Sequence, residues 1–445
     1  MRSRRPKVLH TLGGRQLLQH VLGAVADLGA TRTVVVTGHG ADEVEQSARA
    51  PGLAFVRQQP QLGTGHALQQ AAPLLDDGTT LVLSGDVPLI RSETLARLVA
   101  AAAGDRLALL TIELAQPHGY GRVVRNGAGE RGASIAAIVE EKDASAEVRA
   151  IREVYTGVMA APTGALRRWL AALTNDNAAG EYYLTDVVRM AVAEGVEVVG
   201  VAAESETEVL GVNSPAQLAD LERRHQRAIA SRLMAAGVRI ADPARVDVRG
   251  ELRCGRDVEI DVGCIFEGSV ELGDDVRVGA YCMLRNARID AGATIRAYTH
   301  IDGEALGASV GSGASVGPFA RLRAGAVLGA GVHVGNFVEI KNATLGDGAK
   351  ANHLAYLGDA TVGERVNFGA GSITANYDGA NKHRTTIGAD AHIGSNCVLV
   401  APVTIGAGAT IGGGSTIAKE APAGELTVAR ARQTTLPGWK RPVKS

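Results

Sequence analysis

Between residues 310 and 340 an aliphatic residue returns every six positions: Val310, Val316, Leu322, Leu328, Val334 and Ile340. The same count holds through Ile387, Ile393, Leu399, Ile405, Ile411 and Ile417. Glycine follows most of these, and a small residue comes four positions on, as at Ala314, Ala320, Ala326, Ala391, Ala409 and Ser415. A looser series runs through Val246, Leu252, Val258, Cys264, Val270, Val276 and Cys282. Such a period suits neither a helix, at about 3.6, nor an alternating strand, at about 2. It suits a parallel β-helix, with one aliphatic residue per face pointing into a narrow prism and small residues at the bends. A prism of that width has no room for rings, and aromatics are only 3% of the chain while glycines number 56. Two stretches interrupt the count, IDGEALGAS (301–309) and SITANYDGANKHRTT (372–386). Insertions in a solenoid leave the coil as loops that often carry function. The second holds Asn376, Tyr377, Asp378 and Lys382, polar groups a hydrophobic coil does not need.

The first half has a different grammar. TRTVVVTGH (31–39), LAFVR (53–57), TTLVLSGD (79–86), RLALLTIEL (106–114) and VEVVGVAA (196–203) read as strands. QLLQHVLGAVADLG (16–29) and SETLARLVAAAAG (92–104) read as helices, the second capped by Ser92 and stopped by Gly104. Alternating strands and helices imply a Rossmann-like α/β domain on a mostly parallel sheet, with ligands at the carboxyl ends of its strands. Residues 214–237 then read as one long helix, capped at Ser214 with proline at its first position. The expected organisation is therefore a domain over 1–213, a linker helix over 214–237 and a β-helix over 238–445.

Composition excludes several classes. A net charge of −1 argues against bulk nucleic-acid binding. Four cysteines without close pairs argue against a disulfide scaffold or zinc ribbon. No apolar run approaches the ~20 residues that cross a bilayer, and the basic opening MRSRRPK is not followed by the apolar stretch of a secretion signal. The reading is a soluble, cytoplasmic protein with no membrane partner.

Hexapeptide coils of this kind resemble acyltransferases that use acyl-coenzyme A and form trimers with active sites between neighbouring coils. FARLRAG, GNFVEIKNA, NHLAYLG and VNFGAGSITANYDGANKH, with the GWKRPVK tail, resemble the acetyltransferase domain of one family. That family is the bifunctional N-acetylglucosamine-1-phosphate uridylyltransferase/glucosamine-1-phosphate acetyltransferases, and its coil is left-handed. The chemistry also stands on the residues. Arg323, Lys341 and Lys382 suit a sugar phosphate of about two negative charges. Acetyl transfer needs an uncharged amine, so a base takes a proton, and histidine titrates near neutrality. The resemblance implies His353 as that base, Glu339 nearby to orient it, and Tyr356 and Asn367 holding the sugar. It gives acetyl-coenzyme A to Ala370, Asn376, Tyr377, Ser395, Gly413 and Arg430, partly from an adjoining subunit of a homotrimer. His333 and His392 read as surface groups. A zinc site at a subunit border from His300, His333 and His353 lacks the close spacing such sites show.

In the first half, QLGTGHA places a glycine turn before a helix. LVLSGDVPL puts Asp86 past a strand, within reach of a Mg2+ that bridges nucleotide phosphates, although a turn-forming role fits equally. PKVLH, QLGTGHA, GDVPL, GYGR, VEEKD, GEYYLTD and GVN resemble the uridylyltransferase domain of the same family, which couples a sugar 1-phosphate to UTP and releases pyrophosphate. The resemblance implies that Lys7 meets phosphates and that Gln58, Gly63 and Thr64 read uracil. It gives Mg2+ to Asp86 and Asn213, and the sugar to Gly121, Glu140 and Thr185. Two departures stand out. Tyr155 replaces the family's asparagine in an NTG run, which changes the donor facing the sugar. The first part of the signature LxxGxGTxM, ahead of Pro6 and Lys7, is not present. Met1 therefore reads as an internal methionine of that motif, and the natural protein as longer. A central strand and the loop donating backbone N–H groups to the triphosphate are then missing, and impaired uridylyl transfer is the expectation. The alternatives are a nucleotidyltransferase for another sugar 1-phosphate with a structural coil, and a trimeric scaffold with both sites dead.

Overall fold

The computed structural model describes residues 3–126 and 133–444, so Met1 and Arg2 lie outside the described residues. Two compact units divide at His225/Gln226, inside the helix Pro215–Ala235. Its Ser214 hydroxyl accepts the Gln217 amide at 3.1 Å, as a cap does.

The first unit is α/β. Strands Leu107–Glu113 and Val198–Ala202 pair in parallel. Both Leu107–Glu113 and Thr79–Val82 run antiparallel to Glu153–Pro162, and so parallel to each other. That ten-residue strand, not legible as one in the sequence, also leads into the hairpin Arg122–Arg125/Ile135–Val139. Thr33–Thr37 and Leu53–Arg57 form a separate parallel pair. Among the described residues no ladder joins this pair to the larger sheet, although Val34, Val36 and Val82 pack into one core. The helix expected over 92–104 spans Ser92–Ala101 with Arg91 at the cap position. Ser92 is not the cap: its hydroxyl donates to Ala24 carbonyl at 2.8 Å, tying two helices together.

The second unit is the coil. Among the described residues its strands form eleven- and sixteen-stranded sheets and all pair in parallel; the one antiparallel bridge, Tyr377 with Lys382, lies outside the strands. Val310 pairs with Leu328, one turn of three hexads later. The series read from sequence points inward: Val310, Val316, Leu322, Ile340, Ile393, Leu399 and Ile405 are each wholly buried. Turns stack so closely that a methyl group on Gly335 would run into the Asn352 carbonyl. Two rings do enter the prism, Phe266 and Phe368. Phe368 fits because its partner on the preceding turn is only Ala351. Tyr281, Tyr298, Phe319 and Phe337 instead stack outside, with centroids 5.3, 5.0 and 5.5 Å apart. The interruptions are shorter than the sequence implied. Ile301 and Ala308 belong to strands, and so do Ile373–Ala375 and Thr385–Ile387. Only 303–307 and 376–384 leave the coil.

Candidate active sites

Parallel stacking places residues about one turn apart side by side on a face, and this assembles the cationic cluster. Arg323 ends strand Arg321–Arg323, Lys341 ends Glu339–Lys341 on the next turn, and Lys382 comes from the 376–384 excursion. Hydrogen-bond contact with the Lys382 amine, then burial and the charges of Lys382 and Arg323, hold the Lys341 ammonium below the usual lysine range. Asp359 opposes that shift. Three cations forced together create a site that favours a doubly charged anion.

Asp359 is a residue the sequence reading missed. It is 7% exposed and accepts from Asn342 Nδ2 at 2.5 Å and from Asn376 Nδ2. These contacts tie the excursion to the coil at its first residue. The detectable signal was spacing: Asn342, Asp359 and Asn376 follow one another at 17 residues, about one turn. Within the excursion, Asp378 accepts from the Ala380 and Asn381 amides and from His383 Nε2.

Tyr356 opens the strand Tyr356–Gly358, and its hydroxyl lies where a side chain on Gly358 would be. His353 ends strand Lys350–His353 and is exposed. Asn336, not Glu339, is the group on its ring, with Oδ1 3.0 Å from Nδ1. Glu339 faces another wall of the coil, where Arg323 and Arg321 reach its carboxylate at 3.0 and 3.5 Å. Asn367 Nδ2 meets His392 Nδ1 at 3.3 Å. His300, His333 and His353 are not gathered: among the described residues no cluster of three or more His, Cys, Asp or Glu is placed to hold a metal.

The residues expected to hold acetyl-coenzyme A follow the coil axis. Asn396 amide donates to Ala370 carbonyl and Gly414 amide to Ser395 carbonyl, each at 2.8 Å, while Arg430 Nη1 donates to Gly413 carbonyl at 2.6 Å. They mark successive turns, spaced about 4.8 Å apart, with the Arg430 guanidinium at the far end. Asn376 faces Asp359, and Tyr377, 62% exposed, donates its hydroxyl to Gly379 carbonyl at 2.6 Å.

In the first unit a cleft of about 580 Å3 is lined by Ser84, Asp86, His118, Tyr120, Asn213 and Arg224, among others. Lys7 Nζ lies in contact with Asp86 Oδ2 at 2.6 Å and Asn213 Oδ1 at 2.8 Å. These two oxygens, one carboxylate and one amide, already converge on a cation, and such a donor set fits Mg2+ completed by phosphate and water. A second cleft of about 450 Å3 includes Gln58 with Gly38, Gly40 and Arg57. Gln58 Nε2 donates to Gly63 carbonyl at 2.9 Å. Gly63 holds φ at +101°, and a side chain there would strike the Tyr182 backbone. The Thr64 hydroxyl accepts the Leu184 amide at 3.3 Å. The turn is thereby clamped to the segment that carries Thr185, whose hydroxyl donates to Glu140 at 3.0 Å. Burial raises the Glu140 carboxyl above its ordinary range, against that hydrogen bond. Gly121 accepts the Tyr155 amide at 2.9 Å. Tyr155 itself is buried among apolar side chains, its hydroxyl lacks a partner among the described residues, and burial pushes the phenol well up.

Fold and sites together define a nucleotidyltransferase domain followed by a left-handed hexapeptide β-helix of the acyltransferase kind. Residues 1–189 match the MobA-like NTP transferase domain and residues 384–419 the six-repeat bacterial transferase hexapeptide. The chain is 71% identical over 449 residues to the bifunctional protein GlmU of Methylibium petroleiphilum, covering 100% of this chain and 96% of that one. It is 65% identical over 460 residues to the GlmU of Acidovorax sp. strain JS42, with 100% and 96% covered. Identity to the GlmU of Aromatoleum aromaticum is 59% over 445 residues, again covering 100% and 96%. The chain belongs to the GlmU family. It is a bifunctional transferase that acetylates glucosamine 1-phosphate and joins N-acetylglucosamine 1-phosphate to UTP, using Mg2+, acetyl-coenzyme A and UTP.

Proposed function

We propose the following division of labour among its residues. Arg323, Lys341 and Lys382 bind the phosphate of glucosamine 1-phosphate, and Tyr356 and Asn367 hold the ring. His353 takes a proton from the substrate ammonium. The freed amine attacks the thioester carbonyl, the C–N bond forms, the C–S bond breaks and coenzyme A leaves as the thiol. Ala370, Ser395, Gly413 and Arg430 line the coenzyme track, with Asn376 and Tyr377 at its edge. The meeting of Arg323 and Lys341, on adjacent turns of the coil, with Lys382 carries this reading, because an anion neutralises cations gathered at one place.

In the first unit Asp86 and Asn213 hold Mg2+, which neutralises charge on the phosphates, and Lys7 takes a phosphate oxygen. Gln58, Gly63 and Thr64 face uracil. Gly121, Glu140 and Thr185 form the sugar side; Tyr155, expected to face the sugar, is instead buried among apolar side chains and presents no donor to it. The attacking sugar phosphate displaces pyrophosphate by positioning and charge neutralisation. We further propose a homotrimer in the cytoplasm, in keeping with hexapeptide coils that share sites between copies. Among the described residues no helix is long and apolar enough to cross a membrane.

The test is thiol release from acetyl-coenzyme A with glucosamine 1-phosphate. Wild-type turnover with loss in His353→Ala supports the assignment, and unchanged turnover in that variant removes His353 as the base.

A further inference from the structure

The strand His333–Asn336 lies one turn before Lys350–His353, and the pairing puts Asn336 directly opposite His353. The two side chains meet there, with Asn336 Oδ1 3.0 Å from His353 Nδ1. The Asn336 backbone is held as well, its carbonyl accepting the Leu354 amide at 3.1 Å. Gly335, beside it, brings the turns so close that no side chain fits between them.

An amide oxygen accepts and does not donate. In this arrangement Nδ1 of a neutral His353 carries the hydrogen, and the lone pair falls on Nε2. We infer that Asn336 is a positioning residue for acetyl transfer, holding His353 in the tautomer whose Nε2 takes the substrate proton. The inference rests on His353 being the base. A carboxylate partner would add a negative charge beside the ring and raise the imidazole's pKa; an amide orients the ring without that charge. The turns on either side bring His333 and Asn367 opposite Lys350. Among the described residues no charged side chain is hydrogen-bonded or ion-paired to His353.

The experiment compares Asn336→Ala, Asn336→Asp and His353→Ala by steady-state acetyl transfer across pH, with melting curves for each. Asn336→Ala is expected to lower kcat by about 10- to 100-fold, as loss of a ligand's orienting partner does elsewhere, with KM for both substrates within about twofold. Asn336→Asp keeps an acceptor, so it recovers part of kcat and moves the acid limb of kcat/KM to higher pH. An Asn336→Ala enzyme with wild-type kcat and pH profile, alongside inactive His353→Ala, overturns the role of Asn336 and leaves the base in place. Full activity in His353→Ala overturns the base itself. Should Asn336→Ala fail to fold, an unmoved acid limb in Asn336→Asp overturns the inference.

Discussion

The ammonium of Lys7 lies 2.6 Å from the carboxylate of Asp86, and the same nitrogen reaches Asn213 Oδ1 at 2.8 Å. Residues separated by most of the first unit's sequence are thus drawn to one point at the rim of its larger cleft. If Asp86 and Asn213 hold Mg2+ as proposed, the lysine shares its oxygen partners with the metal, and the two compete until a phosphate gives the ammonium another place.

That competition is measurable. Lys7→Met is expected to lower uridylyl transfer by about 100-fold or more, as loss of a preorganised charge on a transferring phosphoryl group does. The same variant binds Mg2+ severalfold more tightly without nucleotide, because the cation next to Asp86 is gone. Calorimetric titration with MgCl2 checks this, and weaker binding would show that Lys7 supports the metal site.

Lys382→Ala removes one charge from the cationic cluster proposed to bind phosphate. Charge-assisted hydrogen bonds are worth about 1.5–3 kcal/mol, so KM for glucosamine 1-phosphate rises roughly 10- to 100-fold with little change in kcat. Stability gives a second readout. Lys341 is held below its ordinary range, so the unfolded chain binds that proton more tightly. Wild-type stability therefore rises with pH from the lowered value up to the ordinary lysine range. Lys382→Ala flattens this rise, and so does inorganic phosphate. Melting temperatures between pH 8 and pH 10.5 report it (about the upper end of lysine titration).

Gly358→Ala drives a methyl group into the Tyr356 hydroxyl. The ring's far end can move, so the coil still folds while the tyrosine leaves its position. Acetyl transfer falls and uridylyl transfer is unchanged. Parallel assays of the two activities on one preparation decide it; equal loss of both would point to misfolding.

Glu140 has its carboxyl raised first by burial, so the folded state holds that proton more tightly than the unfolded one. Its contribution to stability is present below the ordinary glutamate range and is lost as pH rises through the raised value. Glu140→Gln removes the loss. For an effect of about 1 kcal/mol the melting temperature rises about 2–4 °C at pH 7, and the gain disappears towards pH 4. On the proposal that Glu140 faces the sugar, affinity for N-acetylglucosamine 1-phosphate falls in the same variant.

The coil was legible because its period repeats: Val310 to Ile340 and Ile387 to Ile417 all face inward, as counted along the chain. The strand Glu153–Pro162 was not legible, because it breaks the alternation of strand and helix and carries no turn signal at its centre. Site residues followed the same divide. Arg323, Lys341 and Lys382 were named by charge and motif. Asn336 and Asp359 were missed because asparagine and aspartate are common at bends, and only partners one turn away give them a role. Glu339 was given to His353 by the family resemblance, but in the structure its carboxylate meets Arg323 and Arg321 instead.

The sequence by itself determined that a six-residue period must wind into a prism, that an α/β domain precedes it, and which charged side chains the chemistry has available. Periodicity carries that much because it is a local property, repeated until one geometry satisfies every turn. Only the tertiary structure decided which side chains meet: Asn336 with His353, Asp359 with Asn376, Lys7 with Asp86. Those pairings depend on how parallel turns stack and on segments far apart in the chain meeting at one point; a spacing of 17 residues makes Asp359 and Asn376 neighbours only once the coil has formed.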